Sequence, residues 1–389
     1  MPDVARREGV RDATRVVRAG HPEAETGEPF LPGPVFAAPF HSGGDPADSP
    51  YVYTRYGNPT WERYEQALGE LEDAEVVLFA SGMAAVTAVL LAVVAPGESV
   101  VLPSDCYLGV RALAEEQLAR RGVAVSLVPT VEMDASAVGE GTGLLWLESP
   151  SNPGLDVCDV AALVQAGHAR VVAVDNTFAT PLGQRPLDLG ADLSVTSATK
   201  HLSGHADLMM GYVATRDPGL AETVRDWRRI AGSIPGPFEA WLAHRSLATL
   251  ELRLTRGCAN AAAIAELLVA REDVGGVRYP GLPSDPAHEL AARQMSRFGT
   301  LVAFDLGSRE RADAFLSAAD LITQATSFGG VHTSAERRAR WGQDEVPDGF
   351  IRLSAGCEDR ADLLADIERA LAELGGGGSP PTGTAAAVS

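Results

Sequence analysis

Lysine is nearly absent from this chain of 389 residues: of its 32 lysines and arginines, only Lys200 is a lysine. Arginine carries the same charge but keeps its proton at any usable pH. A chain that retains one lysine therefore points to an amine that must become neutral, as a nucleophile or a base, and the commonest such role is a Schiff base. A compositional bias toward Ala, Gly and Arg is the plainer alternative. Cysteine is scarce too. Cys106, Cys158, Cys258 and Cys357 are far apart and form no CxxC pair, so neither a zinc ribbon nor a disulfide framework is indicated, and a reducing cytoplasm fits. The N-terminus is charged and lacks the apolar core of a secretory signal. The longest apolar stretch, residues 84–95, is too short for a bilayer and contains Thr87. Net positive charge is missing as well. A formal charge of -20 argues against nucleic acid and anionic membrane as partners, since both require basic patches, and leaves a small zwitterionic substrate open.

What is present is the composition of a globular enzyme with a large core, 46% hydrophobic and 22% charged. Residues 1–50 are rich in Pro, Gly and charge, have little periodicity, and suggest an extended arm. Over residues 51–245, strand-like runs at 75–79, 99–102, 123–128, 144–147, 171–174 and 193–195 alternate with helical stretches. That pattern predicts an α/β domain with a mostly parallel sheet. Residues 241–266 suggest one long helical connector. Residues 246–374 suggest a smaller α+β domain, with strands at 300–306 and 350–354 and helices at 309–319 and 361–374. The tail, residues 375–389, is Pro, Gly, Ala and Thr, and is expected to be disordered.

The surroundings of Lys200 sharpen its role. Leu193 and Val195 alternate with polar residues, predicting a short strand that leads into a loop. Ser197 and Thr199 place two hydroxyls beside the amine. Upstream, the apolar run 171–174 ends in Asp175, as a buried parallel strand with a functional residue at its carboxyl end would. One amine, one strand-end carboxylate and hydroxyls fit for a phosphate are the parts that pyridoxal phosphate requires. The amine forms the imine, the hydroxyls bind the phosphate, and the carboxylate keeps the pyridine nitrogen protonated so that the ring acts as an electron sink. Gly82, followed by Met83, comes after a strand and opens a helix. A glycine there lets backbone N–H groups approach a phosphate at the helix's positive end, although a plain strand–helix turn has the same pattern.

With these motifs in order, about residues 35–370 resemble the Cys/Met-metabolism enzymes dependent on pyridoxal phosphate, a family that includes cystathionine γ-lyases, cystathionine γ-synthases and methionine γ-lyases. The resemblance implies a fold-type I pyridoxal-phosphate transferase architecture, α/β, with a large, mostly parallel domain and a smaller C-terminal α+β domain. It implies that the Gly82-Met83 turn binds the phosphate. Tyr53 and Arg55, which alone suggest an aromatic structural turn, would reach the cofactor phosphate of a neighbouring subunit, giving a homotetramer with shared sites. Tyr107, otherwise a packed aromatic, would stack on the ring and pass a proton to the leaving group. Asn152, otherwise part of a tight loop before Pro153, would bond the cofactor's phenolic oxygen or the substrate carboxylate. Arg352 lies in an apolar strand and demands an anionic partner. A structural salt bridge would satisfy it; the resemblance makes it the clamp for the substrate α-carboxylate, with Ser327 close to the lysine and the substrate.

The chain departs from that pattern at Leu108, where glycine is common, and at His332, where many members carry a glutamate that handles the distal end of the substrate. Glu336 or the arginines after it could substitute, although such a run usually marks a solvated helix face. His201, His205 and Asp207 are spaced like metal ligands, but they directly follow the lysine and flank Gly204, so packing is favoured and no metal is expected. The resemblance is greatest to cystathionine γ-lyase, which converts L-cystathionine to L-cysteine, 2-oxobutanoate and ammonia. γ-Synthase and methionine γ-lyase activities are the alternatives within the family, and a non-catalytic protein of the same fold is the alternative outside it.

Overall fold

A computed structural model of the protein describes residues 10–374. The expected disordered tail, 375–389, and the first nine residues of the arm lie outside them. The chain divides into two compact units. The first runs to Ser149 and resumes over Cys158–Leu252; the second takes Pro150–Val157 and continues from Arg253.

The first unit is built on seven strands: β1 Glu75–Phe79, β2 Ser99–Pro103, β3 Ala124–Val128, β4 Thr142–Glu148, β5 Ala169–Asp175, β6 Leu193–Thr196 and β7 Gly211–Thr215. Their order is β1-β7-β6-β5-β4-β2-β3. Only β7 runs antiparallel to its neighbours, so the sheet is mostly parallel, as the alternating pattern predicts. β7 itself is not apparent in the sequence, being a five-residue run that opens on glycine. The two central strands explain their unbroken apolar sequences. Leu144, Trp146, Val171 and Ala173 enter one core cluster, while Leu145, Leu147, Val172 and Val174 enter the cluster on the other face. A strand covered on both faces has no polar side to alternate with. Because β1, β2, β4, β5 and β6 are mutually parallel, their carboxyl ends lie along one edge, where ligands of open α/β sheets bind.

Helix Pro59–Glu72 begins where the side chain of Asn58 accepts the Thr60 N–H (2.9 Å), with Pro59 at the first position, and ends at Asp73 in a left-handed conformation. It buries Trp61, Tyr64, Leu68 and Leu71, and also the carboxyl of Glu72, which accepts the Tyr212 hydroxyl at 2.6 Å. Burial pushes that carboxyl up to about 7, against the Tyr212 and Ser194 hydrogen bonds and the Arg185 charge.

Two sequence expectations change here. The arm is not extended throughout: Asp12–Arg18 is a helix that buries Val16. It is fastened by His244, whose Nε2 bonds the Ala19 carbonyl (2.8 Å), and by the Gly20 N–H, which donates to Glu70 (3.2 Å). The connector is two helices, Pro237–Leu247 and Leu250–Val269. At the break, Ser246 donates to the Leu242 carbonyl and Thr249 to the Ser246 carbonyl, side-chain bonds that compete with helix continuation.

The second unit contains β8 Gly275–Arg278, β9 Leu301–Asp305, β10 Thr323–Gln324, β11 Ser334–Arg337 and β12 Phe350–Ser354, in the order β10-β11-β12-β9-β8. All pairings but β10–β11 are antiparallel. Helices Arg309–Ala318 and Arg360–Leu374 close its core through Phe315 and Ile367, against Phe304 and Ile351. The segment with Glu336 is therefore strand, not solvated helix, and Glu336 is 1% exposed. Among the described residues, no helix is long and apolar enough to cross a membrane.

Candidate active site

In the first unit, the candidate residues sit on the loops that leave the strand ends. Asp175 closes β5, and its Oδ1 accepts the Thr177 N–H at 2.9 Å; the Thr177 hydroxyl in turn accepts the Ser197 N–H at 2.8 Å. One threonine thus joins the Asp175 loop to the Lys200 loop, a link the sequence does not signal. The turn carrying Lys200 is closed by its own N–H to the Ser197 carbonyl (3.2 Å) and by the Gly204 N–H to the Lys200 carbonyl (2.8 Å). Burial raises the Asp175 carboxyl; the Thr177 hydrogen bonds and the Lys200 charge oppose it.

The turn after β1 carries Gly82 and Met83. Ser81 caps the helix Gly82–Ala88 by accepting the Ala84 N–H (3.1 Å). A Cβ on Gly82 would stand 2.7 Å from the Ser197 Cβ, and one on Gly211 would stand 2.5 Å from the Ser81 carbonyl oxygen. Glycine at both places lets the turn, the start of β7 and the Ser197 loop meet. The amides of Gly82 and Met83 lie in the first helical turn, where N–H groups have no intrahelical acceptor. These amides next to the Ser197 hydroxyl make an anion cradle. With the amine of Lys200 and the carboxylate of Asp175, the donor set fits pyridoxal phosphate. The Thr199 hydroxyl is engaged with the Met210 backbone, donating to its carbonyl (3.1 Å) and accepting its N–H (3.0 Å).

Tyr107 precedes the helix Leu108–Leu113 and is 48% exposed. Its N–H donates to Oε2 of Glu148 at 2.7 Å. Arg55 donates to the Arg229 carbonyl (3.1 Å) and stacks over Tyr56 (4.8 Å) and Tyr53 (5.8 Å), so the structure gathers Tyr53 and Arg55 into one aromatic–guanidinium cluster. His201 is buried, His205 bonds the Ser203 carbonyl through Nδ1, and Asp207 is exposed.

In the second unit, Arg352 on β12 is 3% exposed. Its Nη1 donates to Oδ1 of Asn152 (2.6 Å), and its Nη2 to the Ser327 carbonyl (2.9 Å) and Oε1 of Glu336 (2.7 Å). Phe328 lies under the guanidinium at 5.5 Å. Ser327 holds a φ of 84°, a left-handed conformation uncommon for a serine. The structural ion pair considered for Arg352 is therefore present, and its partner is Glu336. That carboxylate also receives Arg338 (2.7 Å), Arg340 (2.9 Å) and the Trp341 indole N–H (3.0 Å). Burial raises Glu336, but the Arg352 charge and the Trp341 and Arg338 bonds outweigh it and hold the group below its ordinary range. His332 is exposed.

The family model of the Cys/Met metabolism PLP-dependent enzymes matches residues 35–372. The chain belongs to that family. It is thus a pyridoxal-phosphate-dependent enzyme, and both its sheet and its donor set agree. A Streptomyces coelicolor protein provisionally named a cystathionine gamma-lyase is 57% identical, over 93% of this chain and 94% of its own length. The cystathionine gamma-synthase of Mycobacterium tuberculosis is 41% identical, over 92% of this chain and 96% of its own. Among solved structures, a cystathionine gamma-lyase of Micromonospora echinospora superposes with a TM-score of 0.87 at 39% identity, covering 94% of this chain and 100% of its own. The apo form of that same protein is described as a methionine gamma lyase.

Proposed function

We propose that this enzyme cleaves the Cγ–S bond of L-cystathionine, taking up water and yielding L-cysteine, 2-oxobutanoate and ammonia. The observation that carries the reading is the 57% identity to a protein provisionally named for that activity, sustained over nearly the full length of both chains. Bound pyridoxal phosphate supplies an aldehyde for amines and an electron-withdrawing ring that stabilises negative charge at the substrate Cα. Gly82, Met83 and Ser197 would hold its phosphate, joined by Thr199 once its hydroxyl turns away from the Met210 carbonyl, and Tyr53 and Arg55 would hold the phosphate of a neighbouring subunit's cofactor. Asp175 keeps the ring nitrogen protonated. Arg352, braced by Glu336 and Asn152, takes the substrate α-carboxylate, with Ser327 beside it, and so fixes the Cα–H bond for cleavage. Lys200, the one side-chain amine in the chain, removes the Cα proton. A second proton must leave Cβ before the γ-sulfur departs, and the Tyr107 hydroxyl gives the departing sulfur its proton. Sharing of Tyr53 and Arg55 between subunits makes the working form a homo-oligomer, a tetramer by family resemblance, and the acidic, cysteine-poor chain suits the cytoplasm.

Product identification tests this. Cofactor-loaded protein given L-cystathionine should release 2-oxobutanoate and cysteine in equal amounts; pyruvate with homocysteine would replace the γ-cleavage assignment by β-cleavage. A second reading is favoured by His332, exposed where many family members carry a glutamate: γ-replacement on an activated homoserine ester, or γ-elimination from methionine. Turnover of those substrates and not of cystathionine would select it.

A further inference from the structure

Glu148 has no role in the scheme above, yet the chain buries it beside Asp175 and against the backbone of Tyr107. It ends β4 and is 6% exposed, and its only described hydrogen bond is to the backbone N–H of Tyr107, at 2.7 Å. It is also the direct register partner of Asp175 at the end of β5. Two carboxylates side by side on adjacent strand ends, Glu148 buried and Asp175 partly buried, do not both ionise readily. Burial and then the Asp175 charge push Glu148 well above the ordinary carboxylate range, against the Tyr107 N–H and the Arg111 charge. The remaining charged neighbour is Asp105, whose carboxylate is already taken by the Thr130 N–H and hydroxyl. The Cys106 thiol beside them is itself pushed up by burial and stays neutral.

We propose that Glu148 is a positioning residue, a carboxyl that fixes the backbone of Tyr107 and thereby the place of its ring and hydroxyl. This rests on the role given to Tyr107 above. The tyrosine needs such a support. It lies at the edge of a six-residue helix, half its surface is open to solvent, and its ring is seated over Gly109, where a Cβ would come within 2.8 Å of both the ring and the Met83 sulfur. Packing on one glycine sets where the ring rests; the Glu148 bond sets the backbone from which it projects. The neutral form serves Asp175 as well. With the proton of the pair on Glu148, the carbonyl oxygen of the acid still accepts from Tyr107, and Asp175 keeps its charge for the ring nitrogen.

The test compares Glu148→Gln, which keeps a neutral acceptor, with Glu148→Leu, which keeps only volume, alongside wild type and Tyr107→Phe. The readouts are kcat, KM, the pH profile of kcat and the visible circular dichroism of the bound cofactor. Glu148→Gln should match wild type in all four. Glu148→Leu should lower kcat by about 10²-fold, the loss that a displacement of about 1 Å brings, with little change in KM and an altered visible dichroism. A Glu148→Leu enzyme identical to wild type in kcat and dichroism overturns the proposal. So does a Glu148→Gln enzyme as impaired as Glu148→Leu, or one whose pH profile is displaced, and this variant decides the matter if Glu148→Leu does not fold. Full activity in Tyr107→Phe would instead sink the role of Tyr107, while the dichroism of the Glu148 variants would still judge whether the carboxyl holds that ring in place.

Discussion

Glu336 and Arg352 face each other as register partners on β11 and β12, carboxylate to guanidinium at 2.7 Å, and both are almost completely removed from water. A buried guanidinium without an anion is costly, so the pair holds the clamp in place before any substrate arrives.

Removing the carboxylate should therefore destabilise the protein. Glu336→Ala is expected to cost about 3 kcal/mol, because it removes the carboxylate facing the buried Arg352 and takes from Arg338 one of its two carboxylate partners, leaving it Asp344. Glu336→Gln, which retains an acceptor, should cost less. Urea unfolding at constant slope measures both. A loss in the Ala variant no larger than that of a surface pair, about 0.5 kcal/mol, would show that the pair is not what holds Arg352.

Arg352→Lys keeps the positive charge and loses the planar fork. We expect KM for the amino-acid substrate to rise by about tenfold or more, the effect of losing one charge-assisted hydrogen bond of about 1.5 kcal/mol, while cofactor absorbance is unchanged. An unaltered KM would remove Arg352 from the substrate.

With a single lysine in the chain, Lys200→Ala leaves no side-chain amine to substitute for it. The variant should lose the visible absorbance of the covalently held cofactor, and turnover should fall by at least about 10²-fold. Retention of both would refute the assignment.

Glu72 gives a pH dependence whose sign is fixed by its burial. Its folded carboxyl titrates near 7, against 4.5 ordinarily, so between those values the folded state holds a proton that the unfolded chain has released. The stabilisation is complete below pH 4.5 and lost as pH rises through 7. Relative to Glu72→Gln, wild type should therefore lose about 2 kcal/mol of stability between pH 5 and pH 8. Urea unfolding of the two proteins at both pH values checks this; a pH-independent difference would place the carboxyl's titration elsewhere.

What the sequence discloses of this site is what lies close together along the chain. Lys200 after β6, Asp175 at the end of β5 and Gly82 after β1 each carry a local signature, an apolar run meeting a polar residue, and the mostly parallel sheet follows from the same runs. What it hides depends on pairing across the fold. Glu336 opens a run of arginines with the composition of a surface helix, and only the register of β11 against β12 turns Glu336 and Arg337 inward. Thr177 bridges two loops that the sequence separates by twenty residues. Glu148 is visible as a carboxylate ending an apolar strand, but its partner is 41 residues away. The break between the two connector helices escapes notice because serine and threonine are unremarkable in a helix until their hydroxyls turn back on its carbonyls.

The segment Pro150–Val157 gives the chain a property unlike that of two modules in series. It belongs to the second unit, where Asn152 meets Arg352 and Asp156 meets Arg278 at 2.8 Å, yet both its flanks belong to the first. The polypeptide thus passes between the units three times. A gene cut at the Leu252–Arg253 junction would not release a portable cassette, because the downstream fragment would lack a piece encoded a hundred codons earlier. Recombination that exchanges only the C-terminal half must bring a compatible Pro150–Val157 loop with it, so the two halves of this enzyme are obliged to diverge together.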